Sequence, residues 1–142
     1  MKRKSLNVTK KTLNFYLSKL KDPQVQNLYK VFSNNLSSLK ISNQKIMVGV
    51  SGGADSLTLL FFSKCYALKN KIKLYPVIID HKLRKESTNE ARNLKLRLRK
   101  NFKINCKILS KKISKIEQNI QSYARDLRYD LFLKECNKNK ID

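Results

Sequence analysis

Ile46-Met47-Val48-Gly49-Val50-Ser51-Gly52-Gly53-Ala54-Asp55-Ser56 is the stretch on which the reading of this chain turns. Its first five residues are an apolar run rich in β-branched side chains, the pattern of a buried strand. Two adjacent glycines then allow a tight turn and a close approach of backbone to a ligand. Behind them Leu57, Leu60, Phe61 and Cys65 predict a helix with those four on its buried side. A helix opening straight out of such a turn presents its first N–H groups there, and their partial positive charge attracts anions. Ser51 and Ser56 add hydroxyl donors. Asp55 fits beside a phosphate when a divalent metal such as Mg²⁺ lies between the two negative groups. An ordinary N-cap with no ligand explains each residue singly, but not the whole string. The Lys-Ser/Thr pair of a Walker A loop is missing.

Outward from this stretch the chain alternates. Leu74-Tyr75-Pro76-Val77-Ile78-Ile79 predicts a second buried strand, in which Pro76 tolerates pairing on one side only. Residues 88–101 predict a helix with Ala91, Leu94 and Leu98 inward, and 104–109 a short third strand. Residues 119–137 predict an amphipathic helix with Ile120, Tyr123, Ala124, Leu127 and Leu131 on one stripe. Alternating strands and helices imply an α/β fold, a Rossmann-like parallel sheet with helices on both faces. Ligands of such sheets bind beyond the carboxyl ends of the strands, here after Val50 and after Ile79. The first forty residues read as helical. Leu13, Tyr16, Leu17 and Leu20 recur at helical spacing, Pro23 breaks the pattern, and Val25, Leu28, Val31, Phe32 and Leu36 resume it. These N-terminal helices are expected to cap the domain.

Composition bounds the function. The 142 residues suit one domain, and 41% hydrophobic content suffices for a core. With 32 basic against 10 acidic residues the formal charge is +22, a field that attracts nucleic acid or nucleotides. The bias toward Lys, Asn and Ile can equally arise from AT-rich codons, so charge alone decides little. No apolar run reaches the ~18–20 residues of a membrane span, and the basic start has no signal-peptide apolar region. Cys65, Cys106 and Cys136 are far apart and odd in number, which supports neither a disulfide framework nor a metal cluster. A reducing cytoplasm is the compartment expected.

Ser51-Gly52-Gly53-Ala54-Asp55-Ser56 resembles the Ser-Gly-Gly-x-Asp-Ser signature of the N-type ATP pyrophosphatases, the PP-loop superfamily. Two further segments narrow the likeness. His81-Lys82-Leu83-Arg84-Lys85-Glu86-Ser87 is similar to the His-x-Leu-Arg-x-Glu-Ser segment of the bacterial tRNA(Ile)-lysidine synthetases. Asn119 through Tyr129 resembles that family's Asn-x-x-x-x-Ala-Arg-x-x-Arg-Tyr helix, with Arg125 and Arg128 three apart on one helical face. Solvated charge is the bland reading of either segment alone.

The resemblance covers roughly residues 44–137 and implies 44–142 as a PP-loop ATP-binding domain; residues 1–43 carry no family motif and are expected, from their helical spacing, to form a helical cap. It implies ATP and Mg²⁺ as cofactors, with a CAU-anticodon tRNA(Ile) and L-lysine as partners. The family adenylates the C2 oxygen of the wobble cytidine, and free lysine then displaces AMP to give lysidine. Carried over, Ser51, Gly52, Gly53, Ala54, Asp55 and Ser56 hold the ATP phosphates, with Asp55 near the metal. Arg84 stabilises charge on the reacting base or phosphate, His81 sits at the nucleotide edge, and Arg125 and Arg128 contact substrate. Such enzymes continue with another strand and an Asp-Asp-x-x-Glu-Thr segment, so the domain reads as truncated at its C-terminal end, with an unprotected sheet edge. Three alternatives stay open: another PP-loop tRNA-modifying enzyme, a truncated remnant that binds ATP without activity, and a basic module that binds RNA by charge. A sulfur-transferring enzyme of the first kind needs a cysteine pair not found here. The oligomeric state is open, a homodimer among the options.

Overall fold

Pro23 begins a helix as well as ending one. Asp22 stands in extended conformation before it, and its carboxylate accepts from Gln24 N–H at 2.9 Å and Val25 N–H at 3.2 Å. Proline at the first helical position loses no hydrogen bond, so Asp-Pro makes a strong start signal. A computed structural model of the chain describes residues 10–39, 41, 44–111 and 119–141. Along it run α1 (Lys10–Lys19), α2 (Pro23–Ser38), β1 (Lys45–Gly49), α3 (Ala54–Asn70), β2 (Lys73–Asp80), α4 (Ser87–Phe102), β3 (Lys107–Ser110) and α5 (Ile120–Asn139).

The three strands form one parallel sheet in the order β1-β2-β3. Pro76 is tolerated in the central strand because β3 begins opposite Val77, one residue later, and Pro76 pairs only with Val48 of β1. Alternation along β1 sorts its side chains between two layers. Val48 and Val50 enter the core with Leu60 and Phe62 of α3 and Leu94 and Leu98 of α4. Met47 and Gly49 face the opposite way, toward α5: Met47 Sδ meets Cys136 Sγ, and the Phe132 ring lies against Gly49. Helices therefore cover both faces, as the alternating pattern requires. The Nζ of Lys107 on β3 reaches both Glu135 oxygens at 2.7 Å, and that of Lys45 donates to the Asn139 carbonyl at 2.8 Å. These contacts fasten α5 across the sheet at both edges.

Both N-terminal helices pack outside α3. Tyr16 is fully buried, stacks on Phe61 with centroids 5.7 Å apart, and donates its hydroxyl proton to the Phe102 carbonyl. Tyr29 packs edge-on against Phe62 at 5.6 Å. Buried aromatic side chains of this size each contribute a few kcal/mol, so the outer helices share one core with the sheet.

Two boundaries differ from the sequence reading. The third strand starts at Lys107 rather than 104, because Lys103 adopts a left-handed conformation (φ +54°) and both its N–H and that of Ile104 return to the Leu98 carbonyl. The residues expected to open the strand instead close α4. On α5 the expected stripe holds at Leu127, which is buried, but Ile120 is 51% exposed. Phe132, Glu135 and Cys136 make the sheet contacts in the second half of the helix. No helix among the described residues is long and apolar enough to cross a membrane.

Candidate active site

The chain leaves β1 through Val50, whose N–H still donates to the Val77 carbonyl at 2.8 Å. That bond carries the strand direction one residue into the loop, so Ser51 emerges at the carboxyl edge of the sheet. At the centre of the turn lies the Ser56 hydroxyl. It accepts from Gly52 N–H at 3.1 Å and Ser51 N–H at 3.3 Å, approaches Ser51 Oγ at 3.1 Å, and donates to the Gly53 carbonyl at 2.9 Å. Ser56 thus cross-ties the loop from the first turn of α3.

The two glycines differ. Gly52 has φ +92°, a conformation that costs a residue with a Cβ. Gly53 is extended at φ −72°, ψ 161°, and a Cβ there would meet nothing nearer than Ser51 Oγ at 3.9 Å. The fold itself therefore does not require glycine at 53. Clearance beside the helix start is what the missing side chain provides. No side chain caps α3, and its ladder begins with Leu57 N–H donating to the Gly53 carbonyl. The preceding N–H groups are free to receive an anion. Asp55 stands exposed in this first turn. Among the described residues no group of three or more metal-binding side chains gathers. One carboxylate beside an anion cradle suits Mg²⁺, which takes one or two carboxylates and completes its shell with phosphate and water.

The second strand ends in a buried carboxylate. Asp80, 2% exposed, accepts from Lys82 N–H at 3.0 Å, Ser87 Oγ at 2.8 Å and Thr88 Oγ1 at 2.7 Å. Burial pushes its pKa up, but the bonds from Thr88, Ser87 and Lys82 outweigh that and hold it below the usual carboxylate value. Asp80 so pins the first turn of α4 to the end of β2 and folds residues 81–86 out as a rim. On this rim the Nδ1 of His81 is buried without a hydrogen-bond partner among the described residues. Burial and the nearby Arg128 guanidinium lower the His81 pKa against a smaller pull from Asp80, so the imidazole is neutral at pH 7. Arg84 pairs with Glu90 at 3.2 Å on the exposed lip. Between the glycine loop, the rim and α4 lies a cavity of about 600 Å³.

A family model described as the PP-loop domain matches residues 20–142. The chain belongs to the PP-loop domain family. Among curated relatives it is similar to the tRNA(Ile)-lysidine synthase of Rickettsia rickettsii (strain Sheila Smith), 36% identical over 115 residues, which cover 77% of this chain and 23% of that protein. The Rickettsia typhi protein of the same name is 35% identical over 111 residues, 77% of this chain and 26% of the relative. That of Rickettsia bellii is 34% identical over 123 residues, 80% and 27% respectively. The chain spans about a quarter of the length of these relatives. No solved structure matches it.

Within this PP-loop domain, Ser51, Gly52, His81 and Arg84 all line the one cavity. Gly53, Ala54, Asp55 and Ser56 form the adjoining helix start. The two arginines of α5 separate: Arg128 lies close enough to influence His81, whereas Arg125 stacks over Tyr129, 5.8 Å from the ring centroid. Beyond Ser87, which closes the His81–Ser87 segment, sequence reasoning passed over the wall supplied by α4, where Glu90, Asn93 and Arg97 face the cavity beside Leu94. Their spacing of three to four along a helix already expected to bury Ala91, Leu94 and Leu98 was the available signal. It also passed over Asp80, because a carboxylate beside a histidine in a polar run does not announce that it will be buried. Cys65 and Cys106 are buried, Cys136 half-buried, and all three are free.

Proposed function

We propose that this chain is the nucleotide-binding part of a tRNA(Ile)-lysidine synthetase. In that reaction the C2 oxygen of the wobble cytidine attacks the α-phosphorus of ATP and pyrophosphate leaves. The ε-amine of lysine then bonds to C2, and AMP departs with the oxygen. The observation that carries the reading is the uncapped start of α3 behind Gly53, a glycine the fold does not need, at the mouth of a cavity reached by His81 and Arg84.

Each residue has a role on this reading. Gly53, Ala54 and Asp55 receive the pyrophosphate portion through backbone N–H groups at the start of α3, while Ser51 and Gly52, whose N–H groups donate to Ser56 Oγ, and Ser56 itself shape the loop around it. A Mg²⁺ ion held by Asp55 would supply neutralisation of the phosphate charge. Arg84, held only by an exposed pair with Glu90, exchanges that partner for negative charge on the reacting base or phosphate, because such a surface pair contributes little stability. His81 offers its unpaired Nδ1 as an acceptor at the nucleotide edge. Arg128, beside it, faces the tRNA side, and Arg125 adds a substrate contact from the next turn. Residues 1–43 act as the cap and 44–142 as the ATP-binding unit, in the cytoplasm. Catalysis on this arrangement is positioning and electrostatic stabilisation of an in-line displacement.

ATP–pyrophosphate exchange tests the reading on the chain as given, with CAU-anticodon tRNA(Ile) and Mg²⁺, beside Asp55→Ala. Exchange dependent on both tRNA and Asp55 is expected. Should neither this chain nor a longer form of the gene carry exchange, the reading is wrong.

A further inference from the structure

Seven of the 32 basic residues are arginine, and six of the seven fall between positions 84 and 128. A codon bias that inflates lysine does not produce this. Arginine persists in the rim after β2, along α4 and on the first half of α5. On α4 the positions sort by angle. Ala91, Leu94 and Leu98 are buried, and Arg97 lines the cavity. Arg92 and Arg99, two turns apart, stand exposed on the opposite face with Lys100 and Lys103. Between them Leu96 is 62% exposed. The sole acidic residue of α4 is Glu90, already engaged by Arg84. Arg92, Arg97 and Arg99 have no acidic partner among the described residues.

We infer that the outer face of α4 is an RNA-backbone track, with Arg92 and Arg99 as its phosphate contacts. Two features favour RNA over other polyanions. The guanidinium fork matches phosphate oxygens bidentately and stacks on bases. Leu96, apolar and set between two arginines, suits a ribose or base rather than a run of carboxylates. This inference rests on the proposed function and adds where the tRNA lies.

The experiment compares two double variants with the same loss of charge. Arg92→Gln/Arg99→Gln removes the track, and Lys11→Gln/Lys138→Gln removes exposed cations on α1 and α5. Affinity for a CAU-anticodon stem-loop RNA is measured against salt concentration, and ATP binding is measured in parallel. The track variant is expected to bind RNA at least tenfold more weakly at low salt. Its slope of log K on log salt should fall by about 1.4–1.8, at ~0.7–0.9 for each phosphate no longer neutralised. The lysine variant should change the slope by less than half as much, and both should bind ATP like the parent chain. Equal effects of the two variants, or none from the arginine pair, would overturn the track while leaving the nucleotide site intact. Competition by polyglutamate as effective as by RNA would make α4 a site for acidic protein and overturn it too. Loss of ATP binding in Asp55→Ala, or its persistence, bears on the nucleotide reading alone.

Discussion

Gly52 and Gly53 are neighbours that lack a side chain for different reasons. At Gly52 the backbone demands it: φ is +92°, and an added Cβ would also lie 3.2 Å from Leu94 Cδ2. Gly52→Ala should therefore cost about 1–3 kcal/mol of stability, read as a lowered urea midpoint. At Gly53 the backbone is permissive, so Gly53→Ala should leave that midpoint nearly unchanged while weakening ATP binding tenfold or more in calorimetry. Unchanged ATP affinity in Gly53→Ala would remove the argument from clearance. The motif made both glycines visible, but only backbone angles separate fold from ligand. His81 supplies a pH test. Its pKa is lowered on folding, so the unfolded chain binds the proton more readily. The stability linked to neutral His81 is complete above its ordinary pKa near 6.5 and is lost as pH falls from there through the folded value. Between pH 7.5 and 5 the parent chain should lose more stability than His81→Gln, by urea unfolding at each pH. Equal losses would contradict the assignment.

At the scale of elements, the joints carry more information than the elements themselves. α5 sits on β1 so closely that a Cβ on Gly49 would come 2.5 Å from Phe132 Cζ. Gly49→Ala should destabilise the fold by about 1–3 kcal/mol through overpacking, and Phe132→Leu in the same chain should recover part of that loss in thermal melts. Asp80 is the joint between β2 and α4. Asp80→Ala strands two hydroxyls and an N–H, and about 2–4 kcal/mol should be lost; Asp80→Asn, which keeps an acceptor, should lose less. The strands, the helices and the Ser51–Ser56 turn were legible because periodicity and glycine pairs are local signals. The late start of β3, the drift of the buried stripe on α5 and the α4 wall of the cavity were not. Each depends on which neighbour a residue meets, a left-handed Lys103 or a glycine one layer away, and no local pattern encodes that.

For the whole molecule, charge and topology set the behaviour. The chain carries +22, and three of the four described ion pairs lie wholly on the surface. Self-repulsion of that size works against compactness and is screened by salt. Raising sodium chloride from ~20 to ~300 mM should lift the melting temperature by roughly 3–5 °C, worth about 1 kcal/mol. A fall would show that attractive pairs dominate. The sequence made the sign and size of the charge plain, but which lysines matter depends on how α4 turns in space. The strand order has its own consequence, for the path by which the chain reaches this shape. Lys45 pairs with Lys73, and Val77 with Lys107, so every strand joins the one made just before it. Each pairing closes a loop of about 30 residues, which carries a similar entropic cost in both cases. A ribosome releasing this chain from its N-terminus hands out β1, α3 and β2 as a closed parallel unit before β3 exists. The sheet can then grow by accretion in the direction of synthesis, with α5 laid across it last.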